Sequence, residues 1–210
     1  MVVDELFEQQ TLNQLYEMCL ESTFWWESKT QIFEAHTDSV SGMSWPRHEA
    51  GYIGAYDFAA FNQPLLMQVA QEIRSAFPEA IGDHELTHVW AYKYESAMQG
   101  IAAHADAAAV NINVWLTPTE ANLDPTTGGL VVYKILPYEG WSWENGGRGE
   151  HTKIDSFLAK HAASNWTVPY QRNRAVMFDS ALFHKTDGFT FKSDYKSRRI
   201  NLTFLFGKPP

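Results

Sequence analysis

Three residues in this sequence could together hold a metal ion. His104 and Asp106 flank Ala105 in IAAHADAAAV, and His184 comes much later in FDSALFHKTDG. Residues two apart on an extended backbone project to the same side, so one imidazole and one carboxylate can address a single ion. The apolar strand AVMFD leads the chain into the segment that carries the second imidazole. Two histidines and one carboxylate occupy one face of an octahedron and leave the opposite positions open, which is the donor set of non-haem Fe(II) sites. Arg198 and Arg199 then open RRINLTFLF, and a planar guanidinium at a strand start is suited to gripping a carboxylate through two parallel hydrogen bonds.

The elements that must position these groups are mostly strands. From about residue 86 the pattern has period two: Trp90, Tyr92 and Tyr94 alternate with Val89, Ala91 and Lys93. VNINVWL, LVVYKIL, AVMFD and RRINLTFLF follow, separated by Gly, Pro, Asn and Asp. Within VNINVWL, Asn111, Asn113 and Trp115 share one face, and Val110, Ile112, Val114 and Leu116 share the other. A polar stripe on an otherwise apolar strand points to a pocket. In RRINLTFLF, Arg199 groups with Asn201 and Thr203, whereas Arg198 groups with Ile200, Leu202, Phe204 and Phe206. The first group is expected to face the pocket and the second to pack against helices.

Two helices precede the strands. Residues 11–20 read as amphipathic, with Thr11 and Gln14 as a capping box and Cys19 on the apolar stripe; residues 64–77 give a helix opened by Pro64 and closed by Pro78. A short helix over 153–161 sits in an insertion at about 137–170. The expectation is one α+β, mainly β domain over 1–210, with helical support over about 1–85 and a β-barrel over about 86–207.

At this point the sequence resembles the 2-oxoglutarate and Fe(II)-dependent dioxygenases, nearest to their prolyl-hydroxylase-like branch. The resemblance spans about residues 86–207: Tyr94 ahead of the first histidine, the His104-x-Asp106 pair, VNINVWL, Gly128-Gly129, LVVYKIL, His184 and then the arginine. It implies a double-stranded β-helix, that is, a cupin-like jelly roll. It also implies Fe(II) on His104, Asp106 and His184, which are then the catalytic centre. For 2-oxoglutarate it implies a site in which Arg199 pairs with the distal carboxylate and Tyr94 donates to it, with Asn111, Asn113 and Trp115 lining the pocket. Dioxygen would be the second co-substrate, and succinate and carbon dioxide the by-products of oxidising a substrate C–H bond. A carboxylate at position 106 leaves no place for a halide ligand, so hydroxylation is the implied outcome. The substrate, a small molecule or a peptidyl side chain, is expected to meet Tyr92, Trp141, Trp143 and Arg148, with 36–60 and the insertion loop contributing to the barrel mouth.

Competing readings are weaker. His84-Glu85-Leu86-Thr87-His88 matches the zinc-hydrolase pattern, which works only on a helix. Here Gly82 and Asp83 precede it and an alternating strand follows. A cupin-like barrel that binds metal without turnover is the third possibility. His36, His48 and His151 read as solvated, and His161 as partly buried on a helix stripe. There is no phosphate-binding glycine loop and no nucleophile elbow.

The bulk properties are consistent with a cytoplasmic enzyme. The chain has 210 residues and a formal charge of -9, and phosphate binding calls for clustered cations. No apolar run reaches the ~18 residues that cross a bilayer, so neither nucleic acid nor membrane is expected as a partner. A single cysteine, Cys19, precludes an internal disulfide and reads as a structural thiol.

Overall fold

The computed structural model describes residues 1–37, 44–142, 151–161 and 164–209. Twelve strands and four helices make up the described chain. They are β1 (Val2–Val3), α1 (Gln9–Glu21), β2 (Glu27–Thr37), β3 (Ser44–Tyr56), α2 (Pro64–Ala76), α3 (Pro78–Ile81), β4 (Leu86–Tyr94) and β5 (Ala97–Met98), followed by β6 (Val110–Trp115), β7 (Leu130–Tyr133), α4 (His151–Lys160), β8 (Asn165–Val168), β9 (Ala175–Asp179), β10 (His184–Thr186), β11 (Phe189–Thr190) and β12 (Ile200–Phe206).

All the strand pairs are antiparallel. A seven-stranded sheet has the order β1-β9-β6-β12-β4-β3-β2, and a smaller one has the order β10-β7-β8; β11 and β5 form a third pair. Among the described residues no continuous ladder closes these sheets into one barrel. The mainly β architecture with flanking helices is as expected. Three elements differ. Strands β2 and β3, grouped with the helical support in the sequence reading, pair antiparallel and extend the large sheet alongside β4. Residues 165–168, placed in the insertion, are strand β8 paired with β7, so the insertion is shorter than expected. Helix α1 starts at Gln9 with Glu8 at its N-cap and no side-chain cap bond, so Thr11 lies inside the helix and does not open a capping box.

The two faces of the large sheet do different work. One packs on the helices: Ile112, Val114 and Leu116, together with Ile200, Leu202, Phe204 and Phe206, meet Leu12, Leu15 and Cys19 of α1 and Leu66, Val69 and Ile73 of α2. Each fully buried aliphatic side chain there contributes about 1.5–3 kcal/mol of transfer free energy. The other face meets the small sheet through Trp115, Leu130, Val132, Val176 and Phe178. This division follows from the two-residue strand period.

Lys93 is a costly member of the helix-side face. It is 5% exposed, its Nζ has no hydrogen-bond partner, and it sits 3.1 Å from the centroid of the Tyr195 ring. Burial lowers its pKa to about 8. A lysine whose folded pKa lies below its unfolded value destabilises the fold while both states are protonated, and that cost is relieved as pH rises from about 8 towards the unfolded value. Lys93→Met should therefore stabilise the protein at pH 7, by about 1 kcal/mol once the lost contact with the Tyr195 ring is set against the relieved burial. The gap in melting temperature between variant and wild type should narrow above pH 8. An unchanged gap would show that the ammonium is not desolvated.

Candidate metal centre

His104 and His184 come together through the backbone. The His104 amide donates to the His184 carbonyl at 3.0 Å, and the His184 amide donates back to the His104 carbonyl at 2.8 Å. This exchange is possible because both segments are extended and antiparallel, and it sets the two imidazoles side by side with centroids 4.4 Å apart. Asp106 lies close by. Its Oδ2 is 3.3 Å from His184 Nε2 and its Oδ1 is 3.9 Å from His104 Nε2. The backbone of Asp106 is pinned by Ser180, whose carbonyl accepts from the Asp106 amide at 3.2 Å and whose hydroxyl donates to the Asp106 carbonyl at 3.1 Å.

The alternation along the extended segment around His104 anchors the site. Ala103 and Ala105 point away from the ligands and pack with Ile154 and Leu158 of α4 and with Phe183. His104 and Asp106 therefore face inward.

Each histidine is prepared as a ligand. His104 Nδ1 lies 2.8 Å from the Ala102 carbonyl and His184 Nδ1 lies 3.0 Å from the Leu182 carbonyl. A carbonyl can only accept, so Nδ1 carries the proton in both rings and Nε2 presents its lone pair. Burial, then the neighbouring His184, lower the His104 pKa to about 4, which keeps that imidazole neutral at ordinary pH. Burial acts on Asp106 in the opposite sense, but its polar contacts with His184, His104 and Asn111 leave its carboxyl below the usual range. Asn111 Nδ2 donates to Asp106 Oδ2 at 2.7 Å. Neutral imidazole nitrogens and an anionic carboxylate are the protonation states that a divalent ion requires. The three candidate donor atoms lie within 4.8 Å of one another, and among the described residues no other group of three His, Cys, Asp or Glu residues does so.

The site opens into a cavity of about 1450 Å³. Asn111, Asn113, Asn201 and Thr203 line it, as do Tyr94 and Thr186. Directly behind stands Arg199, 1% exposed. Its Nε donates to Gly128 O at 2.9 Å, one terminal nitrogen donates to Asn201 Oδ1 at 3.0 Å, and the other reaches Gly129 O at 3.5 Å. These carbonyls are available because the chain turns sharply there: Gly128 has φ +81, and a Cβ on Gly129 would lie 1.8 Å from Val168 O. The rings of Tyr94, Phe189, Trp115 and Tyr170 surround the guanidinium at 4.7–5.9 Å. None of the ion pairs among the described residues involves Arg199. Burial lowers its pKa, opposed by Tyr94 and Tyr170, yet a guanidinium remains cationic. The result is a buried cation, in no ion pair among the described residues, set against Tyr94 and Asn201 of the cavity lining.

The remaining sequence-derived candidates divide. Tyr92 and Tyr94 line the cavity, as do Asn111 and Asn113. Trp115 does not: fully buried, it backs Arg199 and packs on Tyr170 at 5.4 Å, so its contact with any co-substrate would be indirect. Trp141 is also off the cavity wall, lying edge-on to Phe183 at 5.4 Å in the α4 cluster. Trp143 and Arg148 lie outside the described residues. His151 lines the cavity instead of facing bulk solvent, and His161, just past the end of α4, is exposed instead of partly buried. The zinc-hydrolase pattern is broken by geometry. Leu86 already begins β4 and His88 pairs with Asp57 at 3.4 Å, so the five residues do not share a helix face.

Sequence reasoning placed 36–60 at the barrel mouth without singling out Tyr52, Tyr56 or Phe58, and it did not name Trp90 as a site residue; all four are on the cavity wall. The first two alternate across Gly54 in YIGAY, a strand signal that was present but short.

No protein-family model and no curated protein matches the chain. Solved structures do. The α-ketoglutarate-dependent epimerase SnoN from nogalamycin biosynthesis superposes with a TM-score of 0.62 at 13% identity, over 100% of this chain and 80% of that one. HygX from Streptomyces hygroscopicus, with nickel and 2-oxoglutarate bound, gives 0.56 at 10% identity over 99% and 82%. EctD from S. alaskensis, with bound Fe, gives 0.58 at 13% identity over 99% and 72%. The prolyl-hydroxylase branch named from the motif order is not singled out by these likenesses. The chain thus has the fold of the non-haem, 2-oxoglutarate-dependent iron enzymes, with a His-Asp-His triad at its cavity.

Proposed function

We propose that this protein is a 2-oxoglutarate- and Fe(II)-dependent oxygenase that hydroxylates an unactivated C–H bond of a small molecule. The observation that carries the reading is a ligand-ready triad on the wall of a cavity whose lining residues Tyr94 and Asn201 contact a buried arginine, Arg199, that forms no ion pair among the described residues. His104, Asp106 and His184 would hold the iron, which, with dioxygen and 2-oxoglutarate, supplies the oxidising power for C–H cleavage. Arg199 would bind the distal carboxylate of 2-oxoglutarate. Asn201 fixes the guanidinium plane, and the carbonyls of Gly128 and Gly129 hold its remaining edge. Tyr94 would orient the same carboxylate, since its hydroxyl interacts with both Arg199 and Thr186. Asn111 holds Asp106 in place, and the aromatic lining limits water near the reacting groups.

The named structural neighbours include proteins solved with Fe, nickel or 2-oxoglutarate, which supports the cofactor assignment, although one is an epimerase. We infer a cytoplasmic setting from the buried, unpaired Cys19; among the described residues no helix is long and apolar enough to cross a membrane. The formal charge of -9 disfavours nucleic acid as a partner.

The test is anaerobic reconstitution followed by exposure to air. About one Fe(II) per chain should bind, as expected for a single triad. With 2-oxoglutarate present, succinate should accumulate slowly without substrate and faster with it. Iron binding without any succinate would identify a binding barrel, and zinc that is lost on replacing His84 or His88 would identify a hydrolase.

A further inference from the structure

The register of the large sheet shows what stands beside the triad. Residues directly opposite one another in antiparallel strands share a face, so the cavity side of the sheet is ruled into rows. One row runs from His88 on β4 through Leu205 on β12 and Asn111 on β6 to Phe178 on β9. The triad rests on the last two. Asn111 donates to Asp106 at 2.7 Å, and the Phe178 ring meets the His184 ring edge-on at 4.9 Å. Two rows further along β12, Asn201 accepts from Arg199 at 3.0 Å. A co-substrate reaching from the triad to Arg199 would run lengthwise along β12, which leaves the crosswise path over Leu205 to His88. Neighbouring strands lie about 4.8 Å apart, so the backbones of Asn111 and His88 are separated by about 10 Å. A small molecule lying on Leu205 would span that gap.

His88 is held from behind by Asp57. Its Nδ1 lies 3.4 Å from Asp57 Oδ2, and the Asp57 amide donates to the Val89 carbonyl at 3.0 Å. The backbone that carries the carboxylate is thereby tied to the strand that carries the ring. The other oxygen, Asp57 Oδ1, is buried and has no hydrogen-bond partner among the described residues. A carboxylate drawn partly out of water and left incompletely satisfied costs stability, which sets this pair apart from an ordinary surface ion pair. A carboxylate oxygen accepts and cannot donate. It therefore places the proton of a neutral His88 ring on Nδ1 and leaves the Nε2 lone pair to the cavity.

The ring lines that cavity beside Trp90, with centroids 6.3 Å apart. Among the described residues the group able to hold a metal includes neither His84 nor His88, so the lone pair is not spent on an ion. Neither ionised 2-oxoglutarate nor dioxygen carries an N–H or O–H that could satisfy it.

We propose that His88 is a specificity-determining residue that accepts a hydrogen bond from a hydroxyl or amino group of the primary substrate, and so sets which carbon lies over the triad. Asp57 is a positioning residue acting through His88. The inference rests on the oxygenase reading for the identity of the reacting centre, whereas the contact itself needs no metal.

Two probes of one skeleton test it: 1-indanol, which offers an O–H, and 1-indanone, which offers only a carbonyl acceptor. Each is titrated into the full chain carrying nitrogen-15-labelled histidine, and NMR reads binding and the protonation of each ring nitrogen together. The wild type should bind the alcohol about three- to tenfold more tightly than the ketone, the size of one net hydrogen bond, with the His88 proton on Nδ1. His88→Phe should remove the preference. Its fold and its Co(II) affinity should be unchanged, since the side chain is half exposed. His88→Gln, whose carbonyl oxygen still accepts, should restore part of the preference. Asp57→Ala should move the ring proton to Nε2 and lower the preference while the ring remains, a change that a merely structural Asp57 would not produce. His84→Ala should match the wild type in every reading. A wild type that binds neither probe, or both equally, overturns the inference, as does a preference that survives His88→Phe or a wild-type ring protonated on Nε2. Failure of this series in a protein that forms succinate refutes the inference alone. The expected series in a protein that forms no succinate refutes the oxygenase reading alone.

Discussion

Replacing Asp106 with alanine is expected to abolish succinate formation and reduce Fe(II) affinity by orders of magnitude. Asp106 is the single anion of the triad, and its two oxygens lie 3.3 and 3.9 Å from the Nε2 atoms of His184 and His104. Without it, two neutral imidazoles remain to bind a doubly charged ion. The fold should survive, because the variant removes a carboxylate whose burial is itself unfavourable. Asn111→Ala should have a smaller effect, about 10–100-fold in metal affinity, because it removes only the hydrogen bond that orients the carboxylate. His84→Ala should leave both readouts unchanged. Anaerobic titration with Co(II), read by its visible absorption, separates these three outcomes. Retained turnover in Asp106→Ala would displace the triad from the centre of the mechanism.

The second large effect is expected at Arg199. A hydrogen bond to a charged partner contributes about 1.5–3 kcal/mol, and a guanidinium can offer two such bonds to one carboxylate. Arg199→Lys should therefore weaken 2-oxoglutarate by at least about tenfold, and Arg199→Ala by one or more further powers of ten. The alanine variant should also lose stability. It leaves Gly128 O and Asn201 Oδ1 without their donor and opens a cavity among Tyr94, Trp115, Tyr170 and Phe189. Together these defects amount to about 3 kcal/mol or more. The lysine variant is thus the cleaner test of affinity. Arg198 points the other way and pairs with Glu95 at 2.7 Å near the surface. Such a pair contributes about 0–1 kcal/mol, so Arg198→Ala should change 2-oxoglutarate affinity only a few-fold. Titrating the co-substrate into all three variants decides the matter, and the reverse ranking would mean that Arg198 is the anchor.

The sequence by itself determined the parity of the strands that build the site. In VNINVWL and RRINLTFLF the polar and apolar residues alternate, and that alternation alone assigned Ile112, Val114, Leu202 and Phe204 to the helix-side core and Asn111, Asn113, Asn201 and Thr203 to the cavity side. It also supplied the chain order of the triad and the glycine pair. Parity is legible because a strand's two faces are distinguished within a few neighbouring residues. What parity cannot express is which strand lies beside which. The exchange of backbone hydrogen bonds between His104 and His184 joins segments far apart in the chain, and only that pairing turns two separate motifs into one ligand set. The same holds for the β3–β4 register that gathers Tyr52, Tyr56 and Trp90 into a wall, and for β8, which reads locally as insertion until it finds β7. Trp115 and Trp141 show the limit from the other side. Trp115 has the right parity for a pocket and Trp141 lies in the insertion expected at the barrel mouth, but whether either meets solvent or the back of another residue depends on what the tertiary structure places in front of it. For Trp115 that is Arg199, and for Trp141 it is Phe183.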